Sequence, residues 1–369
     1  MKLGRNENCW CGSGLKFKKC HLGRENEPRV SGFDVAEKQR GYFARKLCSH
    51  PDASTGSCIG QIIKAHTVRR AADLAAIAVR GHVYSFKFWF GDLVRSKGKP
   101  VAKRIGINDA SIFNGFCQLH DTQLFRPIEI ETFTGSQEQN FLLFYRAWAR
   151  EAYTKESGAN SIINLRKMDS GAPPSEQRSM QSFLDALEKG HELGVRDTRF
   201  FKSVLDDAYR KRNFAAVESL VIELKGQVEL VAAGCVFPIY DFIGNQLQEL
   251  GTQARPEPLA INLLAAPIGG VVVLSWLRAY SRAPRLLIDS LINNQKEIPN
   301  RVVKLVYASI ENAFAAPSWW EQLPDESRQR LIELVSFGAD PVLFVPSSGL
   351  QDDDHSYSKQ VLLNNPRFA

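Results

Sequence analysis

Between Met1 and Arg24 the chain sets Cys9, Cys11, Cys20 and His21 among arginines and lysines, in the run GRNENCWCGSGLKFKKCH. A segment this short and polar has no apolar stripe to bury, so side-chain packing cannot order it. Three thiolates and one imidazole can. They complete a tetrahedral shell around a divalent ion, and the binding free energy becomes folding free energy. The spacing is C-x-C-x8-C-H, with Gly12 and Gly14 where the chain must turn sharply. Glycine takes such turns without a Cβ penalty. Four protein ligands leave no open coordination position, which points to a structural centre rather than a catalytic one. The competing reading is a disordered tail with three free thiols and a solvated imidazole.

The same segment resembles the SEC-C motif, the zinc-binding tail known from the SecA preprotein translocase. The matching residues are Gly4-Arg5-Asn6, Cys9, Cys11-Gly12-Ser13-Gly14, Lys16, Lys18-Lys19 and Cys20-His21. Glu7 stands where the motif usually has Asp, and Trp10 where Pro is common; neither change removes a ligand. The resemblance covers residues 1–24. It implies Zn²⁺ held by Cys9, Cys11, Cys20 and His21, and docking to a protein partner. It implies no translocase activity, because the chain has no GxxxxGK[ST] loop for ATP.

A second set of ligand types follows. Cys48 and Cys58 flank a nine-residue loop with Pro51 and Gly56, and Cys117-Gln118-Leu119-His120-Asp121 comes about sixty residues later. A two-cysteine knuckle, a β-segment and a C-x-x-H at a helix start are how a treble-clef finger assembles four ligands. Cys48, Cys58, Cys117 and His120 are therefore the second expected Zn²⁺ centre. The alternative is that these cysteines are small buried hydrophobes. His50 is a substitute ligand two residues after Cys48.

Between the two halves stands Ile62-Ile63-Lys64-Ala65-His66-Thr67. Over about residues 45–125 the arrangement resembles the HNH endonuclease (ββα-metal) fold. That resemblance implies His66 as the general base and Asp121 as a ligand of a catalytic Mg²⁺ or Mn²⁺, the pairing that phosphodiester hydrolysis requires. Two departures stand out. Ile112 occupies the place of the family's Asn, with Asn108, Asp109 and Asn114 out of step, and Ala65 replaces the usual acidic residue before the first His. The other reading of His66 is a packed structural histidine, and His82 is a spare candidate. The wider pattern AHT, GHVY, FNGFCQLHD, LFRPIE and ENAFAAPSWWEQL is similar to that of a group of bacterial cytosolic proteins and brings no activity with it.

Charge is uneven. Residues 1–105 carry 21 Lys and Arg against 8 Asp and Glu, while the whole chain sums to +7. A basic part of this kind suits nucleic acid or an acidic protein surface; the alternative is solvated surface beside metal-bound thiolates. Lys97, Lys99, Lys103 and Arg104 form a basic loop suited to phosphates. No window approaches 18 apolar residues, so no membrane partner is expected. The basic, Cys-rich start lacks the apolar segment of a secretory signal. Seven cysteines, several at ligand-like spacing, suit a reducing cytoplasm and metal better than disulfides. Nothing in the sequence speaks to oligomeric state.

The expected architecture is α+β in four parts. The motif at 1–24 forms a zinc ribbon, and a polar linker at 25–33 leads to a treble-clef or HNH-like ββα zinc module at 33–130. A mostly helical domain with a small antiparallel sheet spans 131–345, and a polar, frayed tail covers 346–369. NFLLFYRAWAREAY and QSFLDALEKGHEL read as amphipathic helices, and FFKSVLDDAYRKRNFAAVESLVIEL as a helical pair breaking near Asn213. LAINLLAAP and GGVVVLSWL read as a hairpin turning at Ile268-Gly269-Gly270. Trp319-Trp320 reads as a hydrophobic plug, with a base-stacking platform as the alternative. The functional expectation is a zinc-binding protein whose basic amino-terminal third binds nucleic acid or a protein partner. One alternative is an HNH-type nuclease acting against foreign DNA, and another is a non-catalytic docking adaptor.

Overall fold

The computed structural model describes residues 3–54, 56–86, 92, 95, 96, 98–339 and 345–369. Along the chain, α1 (Gly32–Phe43) is followed by β1 (Ile62–His66), β2 (His82–Phe86), β3 (Ala102–Gly106), β4 (Ile112–Cys117) and α2 (Gln118–Glu129). The long helices α3 (Gln137–Leu165) and α4 (Pro174–Arg210) come next. The remainder runs β5 (Val217–Lys225), β6 (Leu230–Val236), β7 (Leu259–Ala266), β8 (Gly269–Leu277), α5 (Arg282–Ile292), α6 (Ile298–Ser309), β9 (Ala313–Ala315), α7 (Pro317–Gln322), α8 (Asp325–Ala339), β10 (Val361–Leu362) and β11 (Arg367–Phe368). The α+β class expected from the sequence is what the chain adopts.

The chain divides into two compact units. The first draws on residues 3–45 and 154–195. It holds the amino-terminal ribbon, α1 and the turn that joins α3 to α4. Asn8 bridges Lys16 in the ribbon, and a 3₁₀ turn at Phe17–Lys19 closes it. Ser31 caps α1 by accepting a hydrogen bond from the Phe33 amide. The stretch read as a polar linker is not a spacer in this unit. The Gly171 amide donates to the Arg24 carbonyl at 2.9 Å, and a Cβ on Gly171 would come within 2.6 Å of the Glu27 carbonyl oxygen. Gly171, with φ +71°, is therefore fixed both by its backbone and by its neighbour.

The second unit takes in residues 46–86, 99–153 and 196–369. Its main feature is a nine-stranded antiparallel sheet in the order β10-β5-β8-β7-β6-β9-β2-β3, with β11 also on β5. Period-two alternation splits the central strands between two cores. Leu220, Ile222, Leu259, Ile261, Val272, Leu274 and Trp276 face α5, α6 and α8. Val217, Val221, Ala260, Leu264, Val271 and Val273 face Phe113, Phe116, Phe141, Trp148 and Phe201. A sheet covered on both faces favours near-continuous apolar runs, which is why these strands lack a polar alternation, and the buried Ser219 and Ser275 hydroxyls satisfy each other at 2.8 Å.

Three further expectations need correction. The second half of FFKSVLDDAYRKRNFAAVESLVIEL is β5, not a helix: α4 ends at Arg210, and Val217 to Lys225 pairs in register with β8. The hairpin turn lies at Pro267–Ile268, since Ala266 already pairs with Gly269. A Cβ on Gly269 would sit 2.0 Å from the Leu224 carbonyl oxygen, so β5 leaves room only for glycine there. The tail is not frayed. β10 and β11 pair with β5, Tyr357 is buried, and Asp352 and Asp353 meet the buried Arg301 and Lys304 at 2.6 and 2.8 Å. The strand expected at 81–90 is present through Phe86; residues 87–90 and Lys97 lie outside the described residues.

Candidate metal centres

In the first unit, one ligand atom from each of Cys9, Cys11, Cys20 and His21 lies within 4.8 Å of all the others. The Cys9 and Cys20 sulfurs are 3.2 and 3.1 Å from His21 Nδ1, and the Cys11 and Cys20 sulfurs are 3.5 Å apart. A tetrahedron with ~2.3 Å bonds has edges of about 3.8 Å, so the four donors are spaced to enclose one ion. Gly12 and Gly14, at φ +73° and +70°, make the turn that brings Cys11 back toward Cys20. Burial pushes the Cys9 thiol up to about 12. Burial opposes ionisation of Cys11 as well, but hydrogen bonds from Ser13 outweigh it and bring that thiol down to about 7. Close thiols cannot all ionise beside one another, and a divalent cation removes that conflict.

His21 is buried, and its other nitrogen, Nε2, lies 2.8 Å from Asp169 Oδ2. Asp169 is 0% exposed. Burial alone would raise its carboxyl, but hydrogen bonds from His21 and Gln181 and the charge of Arg24 hold it below the ordinary range.

In the second unit, Cys48, Cys58, Cys117 and His120 form the other such group. Their sulfurs stand 3.3, 3.8 and 3.3 Å from His120 Nδ1. The elements explain the convergence. β1 and β4 pair antiparallel, with Ile62 opposite Cys117 and His66 opposite Ile112. Cys117 ends β4 and is the N-cap of α2, so His120 falls in the helix's first turn on the same side. The Leu47 and Ser49 amides donate to the Asn114 and Gly115 carbonyls, which lays the knuckle along β4. Tyr145 from α3 donates its single hydroxyl proton to Asp206 at 2.6 Å and lies 3.1 Å from the Ser49 carbonyl, and Lys202 from α4 donates to both. His50 is outside the ligand group. Its ring stacks on His120 at 3.9 Å and 5°, and burial, with His120 and Lys202 nearby, lowers it to about 4.

The two residues that the HNH resemblance singled out are not members of this second group. His66, at the end of β1, is half-buried and its Nε2 has no partner. Burial lowers its pKa, with the Arg70 charge adding to the effect. Asp121, one residue past His120, is raised to about 6 by burial, with Arg146 pulling down and Glu129 pushing up. Glu129 and Arg146 act on both residues and form an ion pair with each other. Glu129 closes the LFRPIE run and Arg146 lies in the NFLLFYRAWAREAY helix, but nothing in the sequence gave either of them, or Asp169, a role at a site. His82 is exposed at the start of β2, with its Nδ1 2.8 Å from the Arg80 carbonyl. Lys99 and Arg104 are exposed, and Arg104 stacks over Tyr84 at 5.8 Å. Trp319 and Trp320 are buried, with Trp320 stacked on Tyr307, as a plug requires. Among the described residues no helix is long and apolar enough to cross a membrane.

A family profile for the SEC-C motif matches residues 5–23. The SecA protein translocase subunit of Chloroflexus aurantiacus strain J-10-fl is 73% identical over 26 residues, which is 7% of this chain and 3% of that protein. The SecA subunit of Pseudomonas putida strain F1 is 81% identical over 21 residues, 6% of this chain and 2% of that protein. The likeness is confined to the ribbon. No solved structure matches the chain. The amino-terminal segment thus carries a SEC-C motif, and the described residues hold two Cys/His groups that could each bind a metal ion.

Proposed function

We propose that the protein binds two zinc ions structurally and presents its basic amino-terminal third to nucleic acid. The carrying observation is that the described residues contain two separate groups of three thiols and one imidazole, each within one ion's reach. Three sulfurs with one nitrogen suit Zn²⁺ over the harder Mg²⁺ and Ca²⁺, which take oxygen ligands. Each imidazole turns Nδ1 inward, and four protein donors close the shell. The second group lies where a knuckle, two strands and α2 meet, the layout of a treble clef. On the ribbon Arg5, Lys16, Lys18 and Lys19 are exposed, ready to meet phosphates. Binding of the full chain to duplex DNA, measured between 50 and 200 mM salt as a probe range, tests the partner. A steep fall in affinity supports nucleic acid. A flat response, or no binding, removes it and leaves docking to an acidic protein surface.

A second reading has its own support. His66 carries an unpartnered Nε2 at the end of a strand in a ββα unit, beside the helix that bears Asp121. On this reading His66 would take a proton from water, and Asp121 would help hold a Mg²⁺ or Mn²⁺ ion, which when bound would supply Lewis-acid chemistry at the phosphate. Plasmid DNA incubated with the protein and Mn²⁺ is nicked on this reading, and His66→Ala lowers the rate by 10²-fold or more. No nicking, or nicking that His66→Ala leaves intact, eliminates the nuclease.

A further inference from the structure

We propose that Asp169 is the positioning residue of the amino-terminal metal centre, and that through it metal binding clasps the ribbon to the turn between α3 and α4. The inference rests on the reading of Cys9, Cys11, Cys20 and His21 as a metal centre and extends it to a residue 148 positions away.

An ionised carboxylate only accepts hydrogen bonds. Asp169 Oδ2 accepts from His21 Nε2 at 2.8 Å and from Gln181 Nε2 at 2.7 Å, while Oδ1 accepts from Arg24 Nε at 2.6 Å. The His21 proton is therefore on Nε2, and the lone pair is on Nδ1, the nitrogen that faces the Cys9 and Cys20 sulfurs. Asp169 thus fixes both the tautomer and the ring plane that ligation needs, as outer-sphere carboxylates do at metal-bound imidazoles. Burying that carboxylate is unfavourable unless its partners arrive together. His21 and Arg24 lie three residues apart on the ribbon, so folding the ribbon around an ion delivers both at once.

The remaining contacts belong to the same clasp. Arg178 of α4 lies over the Trp10 ring at 5.6 Å, and Ser170 donates to Glu27 at 2.8 Å. Arg24 also reaches the Arg166 carbonyl. Trp10 sits between the first two ligands, so its position too depends on the closed ribbon. At the second centre, among the described residues, no carboxylate hydrogen-bonds to His120, whose ring stacks on His50. That centre therefore serves as an internal control.

The test uses the full chain with Asp169→Ala and Asp169→Asn. Zinc is competed away with a chromophoric chelator, and Co²⁺-loaded samples report ligand geometry through their ligand-field bands. In Asp169→Ala, one of the two ions should be released 10–100-fold more readily and one set of bands should shift, while the other ion is unaffected. Asp169→Asn should fall between, because the amide keeps one acceptor and loses the charge. In the wild type, stripping the metal should speed hydrogen exchange in residues 164–182 together with residues 5–23. Release and spectra unchanged in Asp169→Ala overturn the proposal. So does exchange at 164–182 that ignores the metal, a measurement that stands even if the variants fail to fold. A wild type that takes up no ion at residues 9–21 overturns both this proposal and the metal reading, whereas uptake indifferent to Asp169 overturns this proposal alone.

Discussion

Cys117 joins three things in one side chain. It ends β4, precedes the first turn of α2 and faces His120 Nδ1. Replacing its thiol by a hydroxyl removes a soft ligand from a buried position, so Cys117→Ser should bind one metal ion per chain instead of two. Elemental analysis of the purified variant checks this, and a ratio still at two contradicts it. The amino-terminal Cys/His group was legible in the sequence because soft donors at short spacing are unusual in a polar segment, and the second through its C-x-x-H at a helix start. Asp169, Glu129 and Arg146 were not legible, because what they do depends on which distant residue the fold brings to them. His191 gives a separate residue-level test in the first unit. Burial, reinforced by Lys155, lowers its pKa to about 4. A histidine lowered on folding contributes stability that is complete above its unfolded value near 6.5 and is lost as pH falls toward 4. The partial burial of the ring limits the effect to about 1–2 kcal/mol. His191→Gln should therefore flatten the loss of stability between pH 6.5 and 4, read by urea unfolding at several pH values. An unchanged slope speaks against it.

The elements around the second centre are held by a polar network as well as by sulfur. Lys202 and Tyr145 share the Ser49 carbonyl and the Asp206 carboxylate, and the lysine is largely buried. Lys202→Met keeps the stem and removes the ammonium, leaving Asp206 without its cation. The expected loss is about 1–3 kcal/mol, visible in thermal unfolding; an unaltered transition contradicts the network's role. β5 carries the main lesson about what the sequence could convey. VESLVIELK sits directly after a long helix and reads equally well as a further turn or as a strand. The decision comes from nine residues of pairing with β8 and from cores on both faces, which local pattern does not contain. The β7–β8 hairpin was legible because two apolar runs meet at Pro267-Ile268-Gly269-Gly270, although the turn itself falls at Pro267–Ile268 and both glycines already pair with β7. The knuckle, β1, β4 and α2 were legible because Cys48, Cys58, Cys117 and His120 punctuate them.

For the molecule as a whole, the ribbon and the second Cys/His group lie in separate compact units, and loss of a bound ion should affect the two differently. The ribbon has almost no apolar core. In the second unit the large sheet and its two helical faces supply their own stability, so metal loss there should disturb the knuckle and α2 first. The carboxy-terminal strands belong to that sheet. Removing residues 350–369 strips β10 and β11 from β5 and leaves Arg301 and Lys304 buried without Asp352 and Asp353. That truncation should cost at least about 3 kcal/mol and lower solubility by exposing a sheet edge. Equal stability of the shortened chain would contradict the packed tail. The charge division of the chain was plain from composition, whereas the size of the sheet and the course of the tail arise from long-range pairing.

The most direct measurement is the metal-to-protein ratio of the purified full chain, taken by elemental analysis alongside thiol counting before and after chelation. The account predicts two zinc ions per chain, with the six clustered cysteines shielded from alkylation until the metal is removed. A fully folded protein that contains no metal and alkylates at all seven cysteines would contradict it.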